Sequence, residues 1–174
     1  MPADRKNRPS TAPSRESSAD ATRLLADDHR EVRALFAQYR QLAEGRSPGD
    51  ERQPLAEEIC TLLTVHAAIE EEIFYPAARA ADVDAGVLDE AEVEHASAKD
   101  LIAQIRDMAP DAPLYDAKVR VLGEYIDHHA GEEEQELFPE CRASGMDLAD
   151  LGVRLAARKA ELMSEMSEGM EVVD

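Results

Sequence analysis

The 174-residue chain has only two cysteines, Cys60 and Cys141, and no C-x-x-C pair. That excludes a disulfide framework and a zinc knuckle. Each cysteine falls within a helical pattern and reads as a small buried hydrophobe. Basic residues are also scarce: 19 Lys and Arg stand against 38 Asp and Glu, for a net charge of −19. Nucleic-acid affinity rests on Lys and Arg neutralising phosphates, so no nucleic-acid partner is expected. Acidity of this kind serves solubility, and secondarily draws cations toward the surface. Aromatic residues make up 4% of the chain, and tryptophan is absent. No apolar run approaches the roughly 18 residues that span a bilayer. The stretch "MPADRKNRPSTAPSRESSAD" lacks the apolar segment of a secretory signal. A soluble, cytoplasmic protein with no membrane partner is expected. Strand signals are missing too: no segment alternates with period two, and none is rich in Val, Ile and Thr.

What remains is helical. Residues 1–19 carry three prolines and five Ser or Thr, with almost nothing apolar, which predicts a disordered tail. Residues 20–145 then hold four long patterns of helical period. The first runs from Asp20 to about Gly45, striped by Leu25, His29, Val32, Phe36 and Tyr39. The second starts near Pro54 and is striped by Leu55, Ile59, Leu62, His66, Ile69 and Ile73, with Pro76 expected to kink or end it. The third spans about Asp84 to Met108, striped by Leu88, Ala91, His95, Ala98, Ile102 and Ile105. The fourth spans about Leu114 to Arg142, striped by Leu122, Tyr125, His129 and Leu137. Four such helices with short loops predict an all-α, up-down-up-down four-helix bundle. Residues 146–174 add an amphipathic helix with Leu148, Leu151, Leu155, Leu162 and Met166, expected to pack on the bundle or pair two copies into a homodimer.

Each of the four stripes carries one histidine at an apolar position. A buried imidazole needs a hydrogen-bond partner or a metal, and four at similar depth call for a common purpose. The sequence also repeats. "HAAIEEEIFYP" (66–76) lies over "HAGEEEQELFP" (129–139), which sets Glu70 on Glu133, Tyr75 on Phe138 and Pro76 on Pro139. A similar shift carries His29 onto His95. The chain reads as two helix pairs, each with one bare histidine and one His-x-x-x-Glu. Residues i and i+4 of an α-helix lie about 40° apart around the axis and roughly 6 Å along it. Imidazole and carboxylate therefore point the same way. His29, His66, Glu70, His95, His129 and Glu133 together form a candidate site for two metal ions bridged by the two carboxylates. Carboxylate and imidazole donors inside a bundle suit iron or manganese. Structural zinc favours sulfur, and calcium favours oxygen alone. Copper outranks iron in the divalent series, so affinity alone does not select iron.

With these motifs the chain resembles the hemerythrin-like family, specifically the HHE cation-binding domains with an H…H-x-x-x-E…H…H-x-x-x-E pattern. The resemblance covers about residues 20–143. It implies a non-heme di-iron centre, two Fe ions under an oxo or hydroxo bridge, held by His29, His66, Glu70, His95, His129 and Glu133. It also implies small oxidant ligands: peroxide, O2 or NO. Oxygen-carrying members differ at two places. They have a further histidine where this chain has Lys99, and a longer-spaced aspartate where it has Glu133 at i+4. Two histidines per metal then leave both metals an open position.

Several assignments stay open on sequence. His128 with Glu132 is an alternative to His129 with Glu133, disfavoured by the proline register and the Leu122–Tyr125–His129 stripe. Tyr125, one turn before His129, is a candidate pocket residue. Arg33 and Lys99, each one turn after a bare histidine, are expected to pair with the bridging glutamates or close the pocket. Glu71, Glu72, Glu134 and Glu136 read as solvated residues, some of which orient a ligand imidazole through its other nitrogen. Two functions use the same ligands: reaction with small oxidants, including peroxide disproportionation, or non-catalytic iron binding, storage or redox sensing.

Overall fold

The computed structural model describes residues 20–171. The expected tail, residues 1–19, lies outside them. Helix α1 (Ala21–Glu44) is capped by the Asp20 side chain, which accepts from the Arg23 N–H at 3.0 Å. Helix α2 (Gly49–Ile69) begins five residues ahead of the expected start, so Pro54 lies inside it rather than in its first turn. It does not stop at Pro76. It passes through a five-residue π turn, Glu70–Phe74, into α3 (Tyr75–Ala80). Helix α4 (Ala85–Arg106) is capped by Asp84. Helix α5 (Tyr115–Glu132) repeats the manoeuvre of α2: a π turn at Glu133–Leu137, then α6 (Phe138–Ala143). Helix α7 (Leu148–Glu171) follows.

The two π turns sit at the two ends of the sequence repeat, each just ahead of its proline. A proline cannot donate a backbone hydrogen bond, and its ring crowds the carbonyl four residues back. Widening the preceding turn relieves that crowding and lets the helix continue. The wide turn also re-aims side chains. In a π turn it is residue i+5 that comes round above residue i. Tyr75 therefore stands over Glu70, and Phe138 over Glu133.

Helices α1, α2, α4 and α5 form a ring in which α1 packs on α2 and α5, and α4 on α5 and α2. All of the predicted α1 and α4 stripe residues are buried. Two apolar clusters fill the bundle. One holds Leu25, Ile69, Phe74, Leu88, Leu137 and Phe138; the other holds Val32, Phe36, Ile59, Leu63, Ile102 and Leu122. The four stripe histidines lie between them. Helix α7 packs against α1, α2 and the first π turn, and adds buried Leu151 and Leu155 to the first cluster. Cys60 and Cys141 are buried free thiols, each pushed up to about 11 by burial. Among the described residues, no helix is long and apolar enough to cross a membrane.

Candidate metal centre

The structure brings His29, His66, Glu70, His95, His129 and Glu133 together in the middle of the bundle, all of them buried. They fall into two groups that share Glu70. One is His29, His66, Glu70 and Glu133; the other is Glu70, His95 and His129. The Nε2 atoms of His29 and His66 are 3.1 Å apart, and those of His95 and His129 are also 3.1 Å apart. Glu70 spans the groups, with Oε1 3.1 Å from His66 Nε2 and Oε2 3.2 Å from His95 Nε2. Glu133 Oε2 lies 3.2 Å from His29 Nε2 and 3.6 Å from His129 Nε2. His128 is 65% exposed and pairs with Glu132 on the surface, so the inward register is that of His129 and Glu133.

All four imidazoles turn Nε2 inward and Nδ1 outward, and each Nδ1 meets a carboxylate. His29 meets Glu134 at 2.9 Å and His95 meets Glu71 at 2.8 Å. His66 meets Asp28 at 3.3 Å and His129 meets Glu94 at 2.7 Å. This arrangement follows the sequence repeat. The residue before each bare histidine (Asp28, Glu94) holds the His-x-x-x-Glu histidine of the next long helix. The residue after each inward glutamate (Glu71, Glu134) holds a bare histidine. Arg33 Nη1 donates to Glu134 at 2.9 Å and Lys99 Nζ to Glu71 at 2.6 Å. These cations thus pair with the outer carboxylates, rather than with Glu70 and Glu133. Glu72 pairs instead with Arg158 of α7, and Glu136 is exposed.

Tyr125 is 50% exposed. It lies in an outer groove between α4 and α5 beside Val93 and His128. The buried stripe residue at that level is Ile126, because the stripe advances by four residues there and not three. The tyrosine at the centre is Tyr75. Its hydroxyl donates to Glu133 Oε1 at 2.7 Å and lies 3.3 Å from both Glu70 Oε2 and His95 Nε2. Sequence reasoning passed over it, although the repeat held the signal: Tyr75 is the aromatic position at which one copy is polar and the other, Phe138, is not. Phe138 stacks on the His29 ring at 6.0 Å between centroids.

Burial opposes charge on Glu70, but His66, His129 and His95 hold its carboxyl well below the usual range. Burial likewise opposes protonation of His66, yet Glu70 and Asp28 push it up to about 10. His129 is pushed up to about 11, because Glu133, Glu70 and Glu94 outweigh its burial. Tyr75 is raised well above its ordinary value by burial and by both glutamates, so its hydroxyl keeps its proton and acts as a donor. Four inward Nε2 atoms, two inward carboxylates and fixed outer partners form a ligand set for cations once the imidazoles give up their protons. Its fit is marked by two buried oxygens, Glu70 Oε1 and Glu133 Oε2, which have no well-formed hydrogen bond and face only imidazole Nε2 atoms. Such orphaned acceptors are costly unless another ligand is bound there.

A cavity of about 20 Å³ adjoins the four imidazoles. Its other walls are Val32, Leu63, Ala67, Ala98, Ile102 and Ile126, with Asp28 and Lys99 also lining it.

Known proteins resemble this chain. Residues 20–141 match the family model described as the hemerythrin HHE cation binding domain. A DNA nickase of Nostoc sp. is 32% identical over 122 residues, covering 68% of this chain but only 32% of the nickase. The chain thus spans about a third of that relative's length. An uncharacterized protein of Mycobacterium tuberculosis is 28% identical over 126 residues, covering 71% of this chain and 76% of the relative. The crystal structure of a hemerythrin HHE cation binding domain-containing protein from Mycobacterium kansasii, a homologue of that protein, superposes with a TM-score of 0.74. It is 23% identical and covers 89% of this chain and 94% of its own, so the likeness is one of fold. The bundle, its paired His-x-x-x-Glu helices and the match over residues 20–141 make this chain a member of the hemerythrin HHE cation-binding domain family.

Proposed function

We propose that the cage holds two iron ions, and that the loaded protein reacts with small oxidants. Peroxide disproportionation or binding of O2 or NO is the activity. The observation that carries this reading is the pair of orphaned oxygens, Glu70 Oε1 and Glu133 Oε2, facing four imidazole nitrogens. His29 and His66 would hold one ion, and His95 and His129 the other. Glu70 stands beside an imidazole of each pair, and Glu133 Oε2 lies 3.2 Å from His29 Nε2 and 3.6 Å from His129 Nε2. Iron at this site would supply reversible one-electron chemistry.

The protein's own groups do the rest. Glu134, Asp28, Glu71 and Glu94 fix the four imidazole rings and their tautomers, with Nδ1–H outward and Nε2 free to bind. The Tyr75 hydroxyl donates to Glu133 Oε1 at 2.7 Å, which fixes that carboxylate's orientation. The apolar walls of the cavity admit a molecule about the size of one water, which suits peroxide or a diatomic gas and excludes larger substrates. Nicking of DNA is not carried over from the Nostoc relative. A net charge of −19 opposes a phosphate backbone, and this chain spans a third of that protein.

The test is an anaerobic iron load followed by addition of peroxide, with peroxide loss and O2 release followed together. Rapid loss with O2 release is expected. If the iron-loaded protein leaves peroxide untouched and binds no NO, iron holding or sensing by the same ligands replaces the oxidant reading.

A further inference from the structure

The sequence repeat predicts that the outer partners of the four histidines come in equivalent pairs, and three levels obey it. The ligand positions pair up, as do the four outer carboxylates. So do the cations of the bare-histidine side: Arg33 on Glu134 and Lys99 on Glu71, each four residues after its histidine. The symmetry fails at the last level. In one half, Glu94 is backed by His128 of its own bundle, at 3.5 Å. The residue equivalent to His128 in the other half is Val65, which is buried and cannot donate. Asp28 is backed instead by Lys159 of α7, whose Nζ donates to Asp28 Oδ1 at 2.6 Å. Asp28 is buried, and its other oxygen meets His66 Nδ1 at 3.3 Å. Helix α7 lies beyond the segment, residues 20–141, that matches the family model.

We propose that Lys159 is a positioning residue for His66, and that α7 thereby sets the metal affinity of the His29–His66 half of the site. A carboxylate buried beside an imidazole is costly unless a cation compensates it. Lys159 donates to Asp28 Oδ1 and so holds the carboxylate with Oδ2 turned to the Nδ1–H of His66. That holds Nε2 inward and raises the basicity of the ring as a ligand. Without Lys159, Asp28 loses its counter-charge and the ring loses its fixed tautomer. The His95–His129 half has its own backing, so it is insensitive to Lys159. Arg158, the neighbour of Lys159, reaches a different carboxylate: it pairs with Glu72, which bonds none of the four histidines. This inference rests on the two-metal reading of the site.

The experiment is a cobalt(II) titration of the metal-free full chain, followed by its visible absorption bands, for wild type, Lys159→Met, Lys159→Arg and Arg158→Met. Far-UV circular dichroism runs in parallel. Wild type takes up two equivalents. Lys159→Met binds one of them about tenfold more weakly, the usual lower range for a lost outer partner, and the other unchanged. Lys159→Arg restores the wild-type curve, and Arg158→Met matches it. Lys159→Gln, of similar length and uncharged, is the second variant if Lys159→Met fails to fold. The proposal is overturned if Lys159→Met and Lys159→Gln titrate as wild type, if both equivalents weaken together, or if Arg158→Met gives the same loss. Wild type that takes up no cobalt overturns the two-metal reading itself, and this inference with it.

Discussion

Tyr75 and Glu133 stand 58 residues apart in the chain, yet the phenol donates to the carboxylate at 2.7 Å in the middle of the bundle. The contact exists because a π turn carries Tyr75 over Glu70, toward the helix that bears Glu133. Tyr75→Phe removes the donor and copies the residue present in the other half. Glu133 Oε1 is then left without a hydrogen bond. The metal-free protein should lose about 1–3 kcal/mol of stability, with helicity unchanged, as read by urea unfolding. An unfolding midpoint equal to wild type would mean that the hydroxyl does not secure the carboxylate.

The metal-free protein should lose stability as pH rises. His66 and His129 are raised to about 10 and about 11 in the fold. Their unfolded value is near 6.5. Protons held more tightly in the folded state stabilise it fully below about pH 6.5, and this contribution disappears as pH climbs through the folded values. A metal displaces these protons, so loading near neutral pH releases them. Thermal melts of metal-free protein should fall between about pH 7 and pH 10, and calorimetric metal titration should depend on the buffer's ionisation enthalpy. A flat melting profile together with buffer-independent heats would contradict the ion pairing seen in the cage.

Filling the cavity should separate binding of metal from reaction with ligand. Ala98 lines the cavity one turn after His95 on α4 and is not a candidate metal ligand. Ala98→Leu adds bulk where about 20 Å³ is open. Overpacking costs about 1–3 kcal/mol, which a bundle of this size should tolerate. The variant should keep its metal and react far more slowly with peroxide or NO. An unchanged reaction rate with a folded protein would place ligand access elsewhere.

Much of this was legible in the sequence. The α1 and α4 stripes are ideal helical faces, and their burial follows from period alone. The clustering of the candidate residues was legible because His-x-x-x-Glu acts within one helix, where i+4 spacing fixes geometry. What period could not reveal was the change of period. The π turns at Glu70–Phe74 and Glu133–Leu137 insert a wider turn into otherwise continuous helices, so Pro76 marks a widening and not an end. That shift made Tyr75 central. An extrapolated 3-4 stripe had nominated Tyr125, where the chain buries Ile126. The outer pairs were illegible for a different reason. Asp28 with His66, and Glu94 with His129, join separate helices, and nothing in a linear pattern encodes a contact between them.

The most direct test of the central claim is iron content per chain after an anaerobic load and desalting, for wild type, Glu70→Ala and Glu133→Ala. The carboxylates reach both halves of the cage, so wild type should retain close to two iron ions and each variant close to none, at unchanged helicity. A folded wild type that retains no iron, or variants that retain as much as wild type, would contradict it.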